Sequence, residues 1–136
     1  METHPGEYEI GTDPARLDVD LIHRFLSEDS YWARGRTREV VERSIRHSLC
    51  FGAYVDGRQV GFARIGTDYA VFAYLMDVFV VPEHRGCGVS KLLMQAVVSH
   101  VGIYDMLRGE LDPNAAFNVT EFETVTKAGE FQGPFG

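Results

Sequence analysis

Between Leu75 and His100 the chain reads LMDVFVVPEHRGCGVSKLLMQAVVSH: a β-branched apolar run broken only by Asp77, a proline stop, a loop with two glycines, and an apolar stripe. Across the extended stretch Tyr69 to Val81, the residues Ala73, Leu75, Asp77, Phe79 and Val81 alternate with Tyr74, Met76, Val78 and Val80. Apolar residues on both faces imply a central strand covered on both sides. Beyond Pro82, the set Val89, Leu92, Leu93, Ala96 and Val97 has helical spacing and predicts an amphipathic helix to about His100. A loop opening straight into a helix aims first-turn N–H groups outward at the positive end of the helix dipole, where phosphate binds. Gly86 and Gly88 let the main chain approach an anion, while Arg85 and Lys91 add charge. The run is not a P-loop, and it departs from the GxGxxG fingerprint because Lys91 stands at the sixth position. A strand-to-helix turn whose glycines serve geometry alone is the competing reading.

Upstream, Val19, Ile22, His23 and Leu26 predict a first helix with Asp18 as N-cap. Thr37 offers a second N-cap, followed by Val40, Val41, Ile45 and Ser48 or Leu49 on one face. Between these helices lies a polar loop containing the aromatic pair Tyr31 and Trp32. Arg34, Arg36, Arg38, Arg43 and Arg46 cluster in and beside the second helix, as a solvated surface or as a face for an acidic substrate. LCFGAYV and RQVGFARIGT, joined by Asp56-Gly57, predict a β-hairpin, and Tyr8 to Ile10 a short strand before it.

These elements make one α/β (α+β) domain over 1–136, with a mixed, mostly antiparallel central sheet flanked by helices. Its 136 residues suffice for a real core. A net charge of −7, from 13 basic and 20 acidic residues, argues against a nucleic-acid partner, whose phosphates demand a basic face. Two cysteines, Cys50 and Cys87, staple no fold of this size and have no zinc-ligand spacing, so no metal is expected. No apolar run approaches the ~20 residues needed to span a bilayer. Met1 to Gly11 is polar and acidic rather than a signal peptide, so a cytoplasmic protein without a membrane partner is expected.

Arg85-Gly86-Cys87-Gly88-Val89-Ser90 resembles the Q/R-x-x-G-x-G/A signature of the GNAT superfamily of N-acetyltransferases, with Ser90 in the place of Gly or Ala. Asp77-Val78-Phe79-Val80-Val81-Pro82-Glu83-His84 is similar to that family's fourth strand, and the order of elements matches over about 8–100. The resemblance implies acetyl-CoA as co-substrate. The pyrophosphate would lie on the loop amides of Arg85, Gly86, Cys87, Gly88, Val89 and Ser90, with Lys91 adding charge. The pantetheine arm would pair like an extra strand against Val78, Phe79 and Val80. Backbone N–H groups near Phe79 or Val80 would then polarise the thioester carbonyl. Cys87 is a filler side chain in a tight turn or a thiol activated by the helix N-terminus.

Acetyl transfer to an amine needs a neutral nucleophile, oxyanion donors and a proton source for the leaving thiolate. Asp77 is the best-placed base if strand burial raises its carboxyl pKa; a carboxylate satisfied by backbone or by an arginine is the alternative. Gly102-Ile103-Tyr104-Asp105-Met106-Leu107-Arg108-Gly109 is similar to the family pattern that supplies an acidic tyrosine, making Tyr104 the candidate acid. His84 and His100 are expected in solvated roles. Tyr31 and Trp32 are candidates for lining the acceptor side. The expected reaction acetylates a primary amine of a small molecule or peptide. A catalytically inactive CoA-binding or dimerisation module of the same fold is the alternative.

The family pattern breaks after His100. A fifth strand is due there, and only Val101 separates His100 from the Gly-Ile-Tyr segment. Residues 101–136, with six acids against two basic residues, therefore form a divergent tail and leave the C-terminal strands incomplete or rearranged. The strand is lost, or supplied later by Ala115 to Val125, or the tail is foreign to the fold. An open apolar edge beside Leu75 to Val81 would promote aggregation, so the tail or a second subunit, as in a homodimer, is expected to cover it.

Overall fold

The computed structural model describes residues 7–109 and 111–119. Five strands form one sheet in the order β1 (Glu9–Gly11), β2 (Leu49–Val55), β3 (Arg58–Thr67), β4 (Phe72–Val80) and β5 (Ala116–Val119). Neighbouring strands are antiparallel except for β4 and β5, which run parallel. This is the mixed, mostly antiparallel sheet that the sequence implies.

One face of the sheet carries α1 (Val19–Arg24) and α2 (Arg38–Arg46), and the other carries α3 (Val89–Ser99) and α4 (Val101–Leu107). Local chemistry sets the helix starts. Asp18 accepts from the Leu21 N–H at 3.1 Å, and Thr37 Oγ1 from the Val40 N–H at 3.3 Å, each satisfying a first-turn donor. A π-helical turn, Phe25–Asp29, prolongs α1 and seats Phe25 and Leu26 in the core. Behind the sheet, Leu75, Val78 and Val80 pack with Leu93 and Val97 of α3 and with Ile103 and Met106 of α4. In front of it, Phe62 and Phe79 pack with Ile22, Phe25 and Val41.

The strict alternation expected along β4 fails at Asp77. Phe79 pairs with Phe62 and Met76 with Arg64, so Asp77 and Val78 together oppose the single residue Ala63. Asp77 adopts φ 56°, the left-handed conformation that absorbs such an extra residue in a β-bulge. Every side chain beyond the bulge changes face. Ala73 and Leu75 point toward α3 before it, and Val78 and Val80 do so after it, while Phe79 turns to α1 and α2.

The tail supplies the fifth strand. Ala116 to Val119 pairs with Phe72 to Leu75, and the Ala116 N–H donates to Val71 O at 2.9 Å. Of the expected segment Ala115 to Val125, residues 120–125 lie outside the described residues. Instead of a strand after α3, His100 closes that helix and caps α4 by accepting from the Gly102 N–H on Nδ1 at 3.2 Å.

His84 is not solvated. It is buried in the short 3-10 turn Pro82–His84, with its Nδ1 2.9 Å from the Tyr8 hydroxyl. The pair ties the chain ahead of β1 to the segment that enters the glycine loop. Tyr8→Phe removes one partner and leaves the other buried, and is expected to cost about 1–3 kcal/mol of stability. Urea unfolding would check this, and an unchanged midpoint would show that the bond contributes nothing.

Candidate coenzyme and acceptor site

Two features of β4 create the site. Among the described residues, β5 pairs only with Phe72 to Leu75, so the strand's outer edge beyond the bulge has no neighbour. Polarity along that edge follows from the ladder. The Val81 N–H donates to Val60 O at 2.9 Å, so antiparallel alternation turns the Phe79 amide toward β3 and the Val78 and Val80 amides to the open edge. Of Phe79 and Val80, the two amides named for carbonyl polarisation, only that of Val80 faces the open edge. Arg85 Nε donates to Val80 O at 2.8 Å and braces the loop against the strand end.

From that end the chain passes directly into α3. Gly86 and Gly88 have φ 80° and 88°, values that L side chains rarely adopt, and a Cβ on Gly86 would meet open space. Both glycines thus bend the backbone, and Gly86 does so without crowding it. Gly88 is the N-cap residue of α3 and supplies no side chain to the first-turn amides, which remain directed out of the helix. Ser90 lies in that first turn and Lys91 is exposed beside it. The partly exposed Cys87 packs at the edge of the α3 core cluster. An open strand edge leading to a positive helix end fits an extended amide chain terminated by phosphates, which is the chemistry of coenzyme A. The residues that would hold it are Val78 and Val80 along the edge and Arg85 to Lys91 around the phosphates.

On the α1/α2 side, Asp77 is fully buried and ligated on both oxygens. Trp32 Nε1 donates to Oδ1 at 2.7 Å, while Arg36 at 2.9 Å and Arg64 Nε at 2.8 Å donate to Oδ2. Arg64 also reaches Ser48 Oγ at 3.0 Å. Burial pushes the Asp77 pKa up, as the sequence suggests, but the Arg64 and Arg36 charges and the bonds from Arg64 and Trp32 outweigh it. The net result is a pKa below the ordinary Asp value. The expectation of a raised pKa is therefore reversed, and the arginine-satisfied alternative describes the geometry.

Trp32 is half-buried against this cluster, and Tyr31 stands exposed at 71% with its ring edge-on to Trp32 at 5.1 Å. Tyr104 is placed elsewhere. It sits exposed on α4, with the Arg108 guanidinium 5.1 Å from its ring, on the α3 side of the sheet, whereas the Asp77 carboxylate meets residues of the α1/α2 side. The fold does not bring the two together. Arg36 and Arg64 are the residues that sequence reasoning missed here. Arg36 was visible only as one of a cluster, and Arg64 was hidden within a strand. Cys50, beside this cluster, is buried, and burial pushes its thiol up to about 12.

Among the described residues no group of three or more His, Cys, Asp or Glu side chains could hold a metal ion, and no helix is long and apolar enough to cross a membrane. A crystal structure of a candidate acetyltransferase of the GNAT family from Xanthomonas campestris pv. campestris superposes with a TM-score of 0.75 at 45% identity, covering 93% of this chain and 80% of that one. A candidate acetyltransferase of Gibberella zeae is 35% identical over an alignment of 109 positions that covers 66% of this chain and 62% of that protein. The chain thus spans less than two thirds of that curated relative. A GNAT acetyltransferase from Elizabethkingia anophelis, solved with acetyl-CoA bound, shares the fold at 11% identity and a TM-score of 0.51, over 72% of this chain and 60% of that one. The model of the acetyltransferase (GNAT) family matches residues 19–114, which span the bulged strand, the glycine loop and α3, and the chain belongs to that family.

Proposed function

We propose that the protein transfers the acetyl group of acetyl-CoA to a primary amine of a small molecule or peptide. The observation that carries this reading is the divided edge of β4, which among the described residues is paired with β5 up to Leu75 and has no partner from the bulge to the glycine loop. When bound, acetyl-CoA supplies an activated acyl thioester. The chain's own parts bind and orient. The loop amides and Arg85 would hold phosphate, the Val80 amide, nearer the loop, would pair with the extended arm, and the Val78 N–H beside the bulge would donate to the thioester carbonyl oxygen.

Asp77 serves as a positioning residue in this scheme. Held ionised by two guanidinium groups, it is a weak base near neutrality. Its bonds fix the bulge and draw the Ser30–Gly35 loop onto the sheet, which keeps Tyr31 and Trp32 on the acceptor side.

Acetyl-CoA is expected to raise the melting temperature, and an amine panel to release free thiol. Arg85→Ala removes the brace on Val80 O and a phosphate partner, and is expected to weaken acetyl-CoA binding about tenfold while the domain stays folded. No stabilisation by millimolar acetyl-CoA would sink the reading. Stabilisation without thiol release from any amine would mark a binding module in place of an enzyme, and unchanged affinity in the variant would move the coenzyme off this loop.

A further inference from the structure

On the α2 side of the sheet a cleft of about 620 Å³ opens between α2 and β3, with Glu39, Val40, Arg43, Ser48, Arg64 and Gly66 among the residues that line it. That volume lies in the range of small-molecule sites, about 300–1,000 Å³, and is too small for a folded partner. Arg64 forms part of its floor and pairs in register with Met76, the residue before the bulge, so the cleft ends where β4 parts from β5. A Cβ on Gly66 would lie 3.2 Å from the Met76 methyl group, so a side chain at Gly66 would crowd Met76.

The charge under this floor is unbalanced. Arg36 and Arg64 both bond the single carboxylate of Asp77, which among the described residues leaves one guanidinium charge uncompensated in a largely buried cluster. The Arg64 side chain is only 12% exposed, and the hydrogen bonds to Asp77 and Ser48 use two of its five N–H groups. Arg43 on the wall of α2 is exposed, and its pairing with Glu39 is loose at 3.9 Å. A desolvated positive charge favours an anion in the adjacent cavity, and a guanidinium with spare donors suits a carboxylate. With Glu39 counted, the cleft and the cluster beneath it carry the guanidinium groups of Arg36, Arg43 and Arg64 against the carboxylates of Glu39 and Asp77, a local positive excess in a chain of net charge −7.

We propose that this cleft receives the carboxylate end of a small amino carboxylate, held by Arg64 and Arg43, with the acceptor amine directed toward the bulge. The inference rests on the acetyl-transfer reading for its second half only. Carboxylate binding itself depends on the cleft alone.

Two measurements separate these halves. The first is calorimetric titration of 5-aminopentanoate and L-methionine, each against its carboxamide, into the full chain without coenzyme. Saturable binding of the carboxylates, at least about tenfold tighter than the carboxamides and lost in Arg43→Glu, is the expected result. Val40→Glu, which places a negative charge on the same wall at a half-exposed position, should have the same effect with little change in melting temperature. Equal binding of acids and carboxamides, or a preference that survives both substitutions, overturns the proposal. The second measurement is thiol release from acetyl-CoA with the same four compounds, where the carboxylates should have at least about tenfold higher kcat/KM. Carboxylate binding without thiol release would support the cleft and count against acetyl transfer. Thiol release with the carboxamides preferred would support acetyl transfer and overturn the cleft.

Discussion

Asp77→Ala is expected to destabilise the folded protein by about 3–5 kcal/mol, the cost of leaving buried charges without their partner. Arg36 and Arg64 would face each other with side chains 19% and 12% exposed and no carboxylate between them, while Trp32 Nε1 would lose its acceptor. The bulge would suffer too, because alanine tolerates the φ of 56° less well than aspartate. Asp77→Asn keeps an oxygen for part of the network and should fall between the two. The effect is also pH-dependent. The Asp77 pKa is lowered on folding from an ordinary value of 3.8, so its stabilisation is complete well above that value and is lost as pH falls through the lower folded-state value. Wild type should therefore lose stability on acidification below about pH 4, and Asp77→Ala should lose less over the same interval. Chemical unfolding from pH 2 to 7 measures both. A variant within 1 kcal/mol of wild type at pH 7, or parallel pH slopes, would show that the cluster is not what holds the bulge. Thiol release gives a separate check: loss of the ascending limb of a pH–rate profile near neutrality in Asp77→Asn would restore Asp77 as the general base.

Phe79→Ala is expected to cost a similar 3–5 kcal/mol. Phe79 is fully buried, stacked on Phe25 at a centroid distance of 4.1 Å and tilted against Phe62 at 5.8 Å. Its removal opens a cavity where α1 meets the sheet. It would also free the strand beyond the bulge, whose Val78 and Val80 amides face the coenzyme edge, so acetyl-CoA affinity should fall along with stability. Phe79→Leu restores most of the volume and should recover most of both losses. If Phe79→Ala unfolds at the wild-type denaturant midpoint, the stack contributes no net stability. If Phe79→Leu regains stability without affinity, the aromatic ring itself matters to the site.

Which parts of this architecture were legible depends on the range of the interactions involved. The β2–β3 hairpin, the caps at Asp18 and Thr37 and the α3 stripe arise from neighbours a few residues apart, and the sequence shows them directly. The strand–loop–helix unit was equally readable because its glycines, Pro82 and Val89 stripe act locally. Its resemblance to the GNAT signature was confirmed by the family match over residues 19–114.

The remainder was set by contacts across tens of residues. Period-two alternation placed Asp77 and Leu75 on one face of β4, but the bulge, anchored by Trp32 and Arg36 some 41 to 45 residues away, moves them apart. Burial alone would raise the Asp77 pKa, and only the assembled guanidinium pair reverses the direction. The position of Tyr104 followed a local motif, whereas its distance from the acceptor side follows from α4 packing behind the sheet.

The sequence by itself determined a single sheet with a phosphate-suited loop at the end of its central strand, because propensity, turn chemistry and periodicity are local. The tertiary structure alone decided that Ala116 to Val119 becomes the fifth strand and that, among the described residues, β4 has no outer partner beyond Leu75. Strand pairing partners and the balance of buried charge depend on which distant residues meet, and no local pattern encodes that.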